Sequence, residues 1–232
     1  MKKYISIAID GPAASGKSSV GFKLANRLGY LFLDTGIMYR AVTWAVLEKK
    51  ISVVDEENVS KFVSSINITI NPPTIKDGRV NDILINGLDI TKMLIDHTVN
   101  ENVSQISTYQ VVRDYLTLQQ RQISSQGDIV MVGRDIGSIV LPKATCKYFL
   151  QASVMERARR RFEEEKVKGG SLDFEKILKN VSLRDEIDST RKIAPLVPAK
   201  DAIIINTDLK DLYVVVEEIY RSVQKCLTQN IN

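Results

Sequence analysis

The sequence predicts a three-layer α/β fold, in which a mostly parallel five-stranded sheet lies between helices, with a small antiparallel insert and a helical lid. Three observations predict it. Short apolar runs alternate along the chain with helical stripes, the pattern of a mostly parallel sheet. The first run is apolar throughout, as in a central strand buried on both faces. One central segment breaks the pattern, with Ile66, Ile68 and Ile70 alternating with polar residues before Pro72-Pro73.

The run at residues 4–9 is the first strand. After a glycine loop, a helix is expected at 18–28, where Val20, Leu24 and Leu28 recur at spacings of four before Gly29. Residues 30–33 read as the second strand and 38–47 as the next helix. Asp77-Gly78 is a turn signal ahead of an extended run at 80–85, so residues 66–100 read as an inserted antiparallel module. Helix returns over about 100–125, and further strands are expected at 129–132, 147–150 and 202–205. Two charge-rich helical stretches, about 153–166 and 173–190, are joined by Gly169-Gly170. They are thin in apolar residues, which suits a mobile cover. For the last helix, Asp208 is the expected cap, and Leu209, Leu212, Val216, Ile219 and Val223 the buried stripe. The expected organisation is a single domain over 1–232: a core of about 1–65, 101–152 and 195–232, the insert at about 66–100, and the lid at about 153–194.

Composition narrows the function. Apolar residues make up 44% and charged residues 26%, ordinary for a soluble globular chain. No stretch approaches the ~18 consecutive apolar residues of a membrane span. The apolar run after Lys2-Lys3 reaches Asp10 too soon for a signal peptide, so a cytoplasmic protein is expected. Cys146, Cys226 and His97 give neither a zinc-ligand spacing nor a disulfide framework. The net charge is only +4, but residues 134–200 hold 15 Lys/Arg against 10 Asp/Glu, with 7 of the 13 arginines. Such a cluster suits a polyanion, whether nucleotide phosphates or nucleic acid.

Residues 11–18 read GPAASGKS and meet the pattern G-x-x-x-x-G-K-[ST], placed between a strand and a helix. This is a P-loop. Glycine lets the backbone curl so that successive N–H groups face phosphate oxygens, and the helix that follows adds its positive end. Gly11, Pro12, Ala13, Ala14, Ser15, Gly16, Lys17, Ser18 and Ser19 are therefore the ATP cradle. Lys17 is expected to reach the β- and γ-phosphates, and the Ser18 hydroxyl to ligate Mg²⁺. No N-K-x-D guanine reader and no apolar strand ending in Asp-Glu is present, which argues against a GTPase and a motor ATPase. The size and the arginines point to a kinase for a small phosphorylated acceptor.

Three further motifs lie in order along the chain: Leu33-Asp34-Thr35-Gly36-Ile37-Met38-Tyr39-Arg40, Gly133-Arg134-Asp135-Ile136-Gly137, and Arg184-Asp185 with Arg191 and Ala194-Pro195-Leu196. With the P-loop and the insert at 66–100, they make the chain resemble bacterial cytidylate kinase over essentially its whole length. The resemblance implies transfer of the γ-phosphoryl group of ATP, with Mg²⁺, to CMP or dCMP. It also implies contacts to the acceptor phosphate or the transferring group from Arg40, Arg134 and Arg191. Thr35 stands where the family often has serine and would supply a hydroxyl. Ser104, Arg113 and Asp135 would read the base, whose amine donor and ring acceptors they match. Arg184, Asp188 and Arg191 lie at i, i+4 and i+7 and share a face if the helix persists. On this reading Arg184 and Arg191 act with Lys17 and Arg134 on the transferring group, and Asp188 meets the acceptor's sugar hydroxyls. Arg157 and Arg161 are candidates for the ATP phosphates or adenine, and Arg159 and Arg160 are expected to face solvent.

The acceptor oxygen belongs to a phosphate already anionic, so no general base is required. A kinase for UMP, AMP or shikimate is the rival enzyme. An ATP-dependent RNA-binding module is the remote alternative, but aromatic residues do not interleave with the basic segment as base stacking would need. A monomer that binds neither nucleic acid nor membrane is expected.

Overall fold

The computed structural model describes residues 4–167 and 173–229. In chain order its elements are β1 (Ser6–Asp10), α1 (Lys17–Leu28), β2 (Leu31–Asp34), α2 (Thr35–Glu48), α3 (Glu56–Val63), β3 (Ile68–Asn71), β4 (Asp82–Ile85), β5 (Leu88–Asp89), α4 (His97–Ile106), α5 (Gln110–Ser124), β6 (Ile129–Gly133), β7 (Cys146–Gln151), α6 (Val154–Val167), α7 (Phe174–Thr190), β8 (Ile203–Asn206) and α8 (Leu212–Gln229). A 3₁₀ turn spans Thr91–Ile95, and a π-helical turn Ile136–Val140. The chain separates into two compact units, one of residues 1–34 and 120–232, the other of 35–119.

In the first unit five parallel strands form a sheet in the order β2-β6-β1-β7-β8. β1 lies at its centre and reads Ser-Ile-Ala-Ile-Asp, buried from Ile7 onward, because helices cover both faces of a parallel sheet. Ile7, Ile9, Val20, Leu24, Val132, Tyr148 and Leu150 form one core with Val215, Val216, Ile219 and Val223 of α8. The α1 helix ends where Gly29 takes a left-handed conformation that closes two carbonyls of the last turn.

Two expectations for α8 are corrected. The residue that starts it is Asp211, whose carboxylate takes the Tyr213 N–H at 2.7 Å; the Asp208 carboxylate instead takes the Ser153 N–H at 2.8 Å, ahead of α6. Leu209 precedes the helix and is 91% exposed, so the buried stripe starts later and includes Val215. From Leu212 onward the expected stripe holds, with Val216, Ile219 and Val223 buried, and the helix simply begins about one turn later.

The α6 and α7 helices are less bare than their composition predicts. Ala158, Ile177 and Val181 form a small core with Phe162 and Phe174, whose rings meet edge to face at 5.8 Å. The predicted Gly169-Gly170 joint lies outside the described residues.

In the second unit α2 buries Met38, Tyr39, Val42 and Val46. The antiparallel sheet β3-β4-β5 pairs Ile68 with Ile85 and Ile70 with Ile83, as the alternation at 66–70 predicts. The helical pattern over 100–125 is two helices, broken around Ser107–Tyr109.

Candidate active site

In the first unit the loop after β1 begins at Gly11, where any Cβ would stand 2.2 Å from the Leu150 carbonyl oxygen. Only glycine fits so close an approach. Ala14 and Gly16 are both in the left-handed region, which curls the loop into a nest ahead of α1. The buried Ser15 Oγ has no protein partner among the described residues, and a phosphate oxygen suits it. The Lys17 ammonium folds back to donate to the Pro12 carbonyl at 2.9 Å. Burial, and then the Arg134 guanidinium, push it well below the usual lysine range, while Asp34 and Asp188 pull the other way. A phosphate beside it would restore its charge.

Ser18 is exposed and donates to the Asp34 carboxylate at 2.6 Å. Asp34 closes β2, so two oxygen donors of the kind Mg²⁺ takes stand together at the sheet's carboxyl end. Among the described residues no group of three or more His, Cys, Asp or Glu side chains could hold a metal.

At the end of β6 the Arg134 Nε donates to Asp188 of α7 at 2.7 Å, and Asp135 is buried beside it. Burial pushes the Asp188 carboxyl up, but Arg134, Arg191 and Arg184 outweigh it and hold the group below the usual carboxylate range. α7 ends at Thr190, so Arg191 stands just past the helix and not on its face. Its guanidinium still comes within 3.7 Å of Asp188, and its Nε donates to the Ala194 carbonyl at 2.7 Å. Arg184 is on α7, near enough for its charge to act on both Lys17 and Asp188.

Arg157 is buried. It donates to the Ala13 carbonyl of the loop at 3.2 Å and to Asp185 of α7 at 2.9 Å, a forked pair that joins α6, α7 and the phosphate loop. Arg161 pairs with Glu164 and Glu165 of its own helix. Arg159 is largely exposed, as expected, but Arg160 is not. It binds Glu156 and Thr207, and Thr207 donates to the Ser15 carbonyl at 3.2 Å, so Arg160 is tied to the loop through the end of the sheet. Helix spacing alone put it on the wet side, and the contact comes from a residue after β8.

In the second unit Thr35 is buried at the start of α2, and the Arg40 Nε donates to Asn100 at 3.1 Å. Asn100 is itself fixed by the Ile95 and Asp96 carbonyls. Ser104 and Arg113 are both buried. The Ser107 hydroxyl donates to the Ser104 carbonyl at 2.8 Å, and an Arg113 Nη donates to the Ser107 carbonyl at 3.0 Å. The Arg113 guanidinium also lies over the Tyr39 ring at 5.5 Å. Buried arginine and serine on one short corner form a donor-rich floor. His97 is exposed beside Glu101.

Asp10, Asp34, Tyr39 and Asp185 carry contacts that the sequence reading left unassigned. Each had a signal: Asp34 and Tyr39 lie inside a quoted motif, Asp185 follows Arg184, and Asp10 directly precedes Gly11.

The family model for cytidylate kinase matches residues 7–225. A cytidylate kinase of Bacillus subtilis is 39% identical over 225 residues, covering 97% of this chain and 99% of that relative. A cytidylate kinase of Herpetosiphon aurantiacus is 44% identical over 203 residues, covering 88% and 87%. Among solved structures, an uncharacterized protein from Eubacterium ventriosum superposes with a TM-score of 0.50 at 13% identity, covering 95% of this chain and 98% of that one. That last likeness concerns the fold alone. No helix among the described residues is long and apolar enough to cross a membrane.

Proposed function

The chain belongs to the cytidylate kinase family, and from that membership we infer that it transfers the γ-phosphoryl group of ATP to CMP or dCMP, giving ADP and CDP or dCDP. The observation that carries the reading is the pairing of a complete phosphate loop with the Arg134–Asp188–Arg191 cluster of the same unit. Such a cluster suits a second polyanion, and a hydrolase acting on ATP alone would have no need of it.

The chemistry follows from charge. The attacking oxygen is a phosphate oxygen and arrives ionised, so the enzyme's task is to hold two polyanions in line and keep water out. Lys17, the loop backbone and Ser15 take the donor's phosphates. Ser18 and Asp34 would hold Mg²⁺, which would supply positive charge to offset that of the donor's phosphates. Arg134, Arg184 and Arg191 offset the charge spread over the transferring group. Arg40 and Thr35 take the acceptor phosphate, Ser104, Arg113 and Asp135 the base, and Asp188 the sugar hydroxyls. Arg157 leaves Asp185 for the donor's phosphates when α6 and α7 act as a lid, which limits wasted hydrolysis. The finer expectations of a cytoplasmic monomer without nucleic-acid partners belong to the same reading, as does the partition into core, insert and lid.

The test is a coupled ADP-release assay with CMP, dCMP, UMP and AMP at matched concentrations. CMP and dCMP should exceed AMP in kcat/KM by at least about a hundredfold, since a site built around buried polar groups rejects an analogue that leaves them unpaired. CMP no better than AMP would refute the base assignment.

A further inference from the structure

Asp10 ends β1 one residue before the phosphate loop begins, and almost none of it is exposed. Its carboxylate takes the Ile136 N–H on Oδ1 at 2.7 Å and the Gly137 N–H on Oδ2 at 2.8 Å. These open the π-helical turn that follows β6. In the sheet, Asp10 is also the register partner of Gly133, the last residue of β6. The two residues between, Arg134 and Asp135, are thus a short span pinned at both ends by one residue: at Gly133 through the strand pairing, at Ile136 and Gly137 through the side chain. The same residue leads into Gly11, whose close approach to Leu150 fixes the start of the loop.

We propose that Asp10 is a positioning residue for phosphoryl transfer: its carboxylate sets the acceptor-binding pair Arg134–Asp135, while its backbone continues into a donor loop that Gly11 fixes independently. The proposal rests on the kinase reading above. Three observations support it. Two N–H groups converge on two carboxylate oxygens, and an asparagine would offer only one acceptor and turn a donor toward the other N–H. Space on the far side is tight, since a Cβ on Gly137 would stand 3.3 Å from Asp10 Oδ2 and 3.2 Å from Lys147 Cδ. Burial pushes the Asp10 carboxyl up to about 6, against the Gly137 and Ile136 N–H groups; Asp135 adds to the rise and Lys17 opposes it. Burial thus disfavours the ionised carboxylate relative to the unfolded chain, which suits a residue kept for alignment and not for stability.

The test is steady-state kinetics of D10N, with ATP and CMP varied in turn. The expected result is a KM for CMP raised about tenfold or more, a KM for ATP within about twofold of the parent, and a lower kcat. A core variant such as V216A, matched for lost stability, should show no such split. G137A, which keeps the carboxylate but crowds it, should show the same split and carries the test if D10N does not fold. A KM for CMP within about twofold of the parent, or equal rises for both substrates, would overturn the proposal. Absence of CMP phosphorylation in the parent enzyme would instead refute the kinase reading itself, so the two failures are distinguishable.

Discussion

The phosphate loop takes its shape from backbone geometry, whereas the α6–α7 arm takes its place from side-chain pairs. Gly11 is locked against Leu150, Ala14 and Gly16 hold left-handed conformations, and the loop runs directly out of a buried central strand. The arm has only a small apolar cluster of its own and reaches the rest of its unit through Arg157, Arg160 and the Arg134–Asp188 pair. The difference teaches which part is preset and which is exchangeable. Backbone donors cost no rearrangement when phosphate arrives. Guanidinium groups held by Asp185 and Asp188 have partners that an incoming phosphate can replace, so the arm is suited to respond to substrate.

The sharpest break of this contrast is Lys17→Ala. It should lower kcat by about a thousandfold or more, some 4 kcal/mol, while the melting temperature holds or rises, because a buried ammonium pushed toward neutrality by burial and Arg134 is removed. Steady-state kinetics beside thermal unfolding checks both halves.

Next is the pH dependence of stability, which separates Asp10 from the arm's carboxylates. The folded pKa of Asp10 is raised to about 6 from 3.8, so its contribution is fully present below pH 3.8 and lost as pH rises through 6. With Asp135 and Lys17 as its charged neighbours, the wild type should lose about 3 kcal/mol relative to D10N over that window in denaturant titrations. Asp188 behaves oppositely, since its pKa is depressed. Its contribution is present above the ordinary aspartate value and is lost as pH falls through the lowered one.

The smallest effect is expected at Arg157. R157A should lower kcat/KM for ATP by about ten- to thirtyfold in steady-state kinetics, and added salt should change that gap little, because a buried guanidinium is poorly screened.

Much of this contrast is legible in the sequence. The loop is contiguous, so Gly11–Ser18 announces both its shape and its ligand, and the five strands are readable because each is a short apolar run beside a turn signal. The arm is less so. Helical spacing set Arg157 apart from Arg160, and only tertiary placement shows that the first meets Asp185 and the second Thr207. Asp208 and Asp211 compete for one cap with equal propensity, and the choice depends on Ser153, 55 residues away, engaging the first of them. Asp10 was legible only as the residue between the first strand and Gly11, because its partners follow 126 and 127 residues later.

The most direct measurement is the fate of the γ-phosphate itself. With γ-labelled ATP, Mg²⁺ and CMP, the label should appear in CDP, with little released as inorganic phosphate, and Lys17→Ala should slow its transfer by about a thousandfold or more. Label that goes chiefly to inorganic phosphate, or to AMP in preference to CMP when both are offered, would contradict the account.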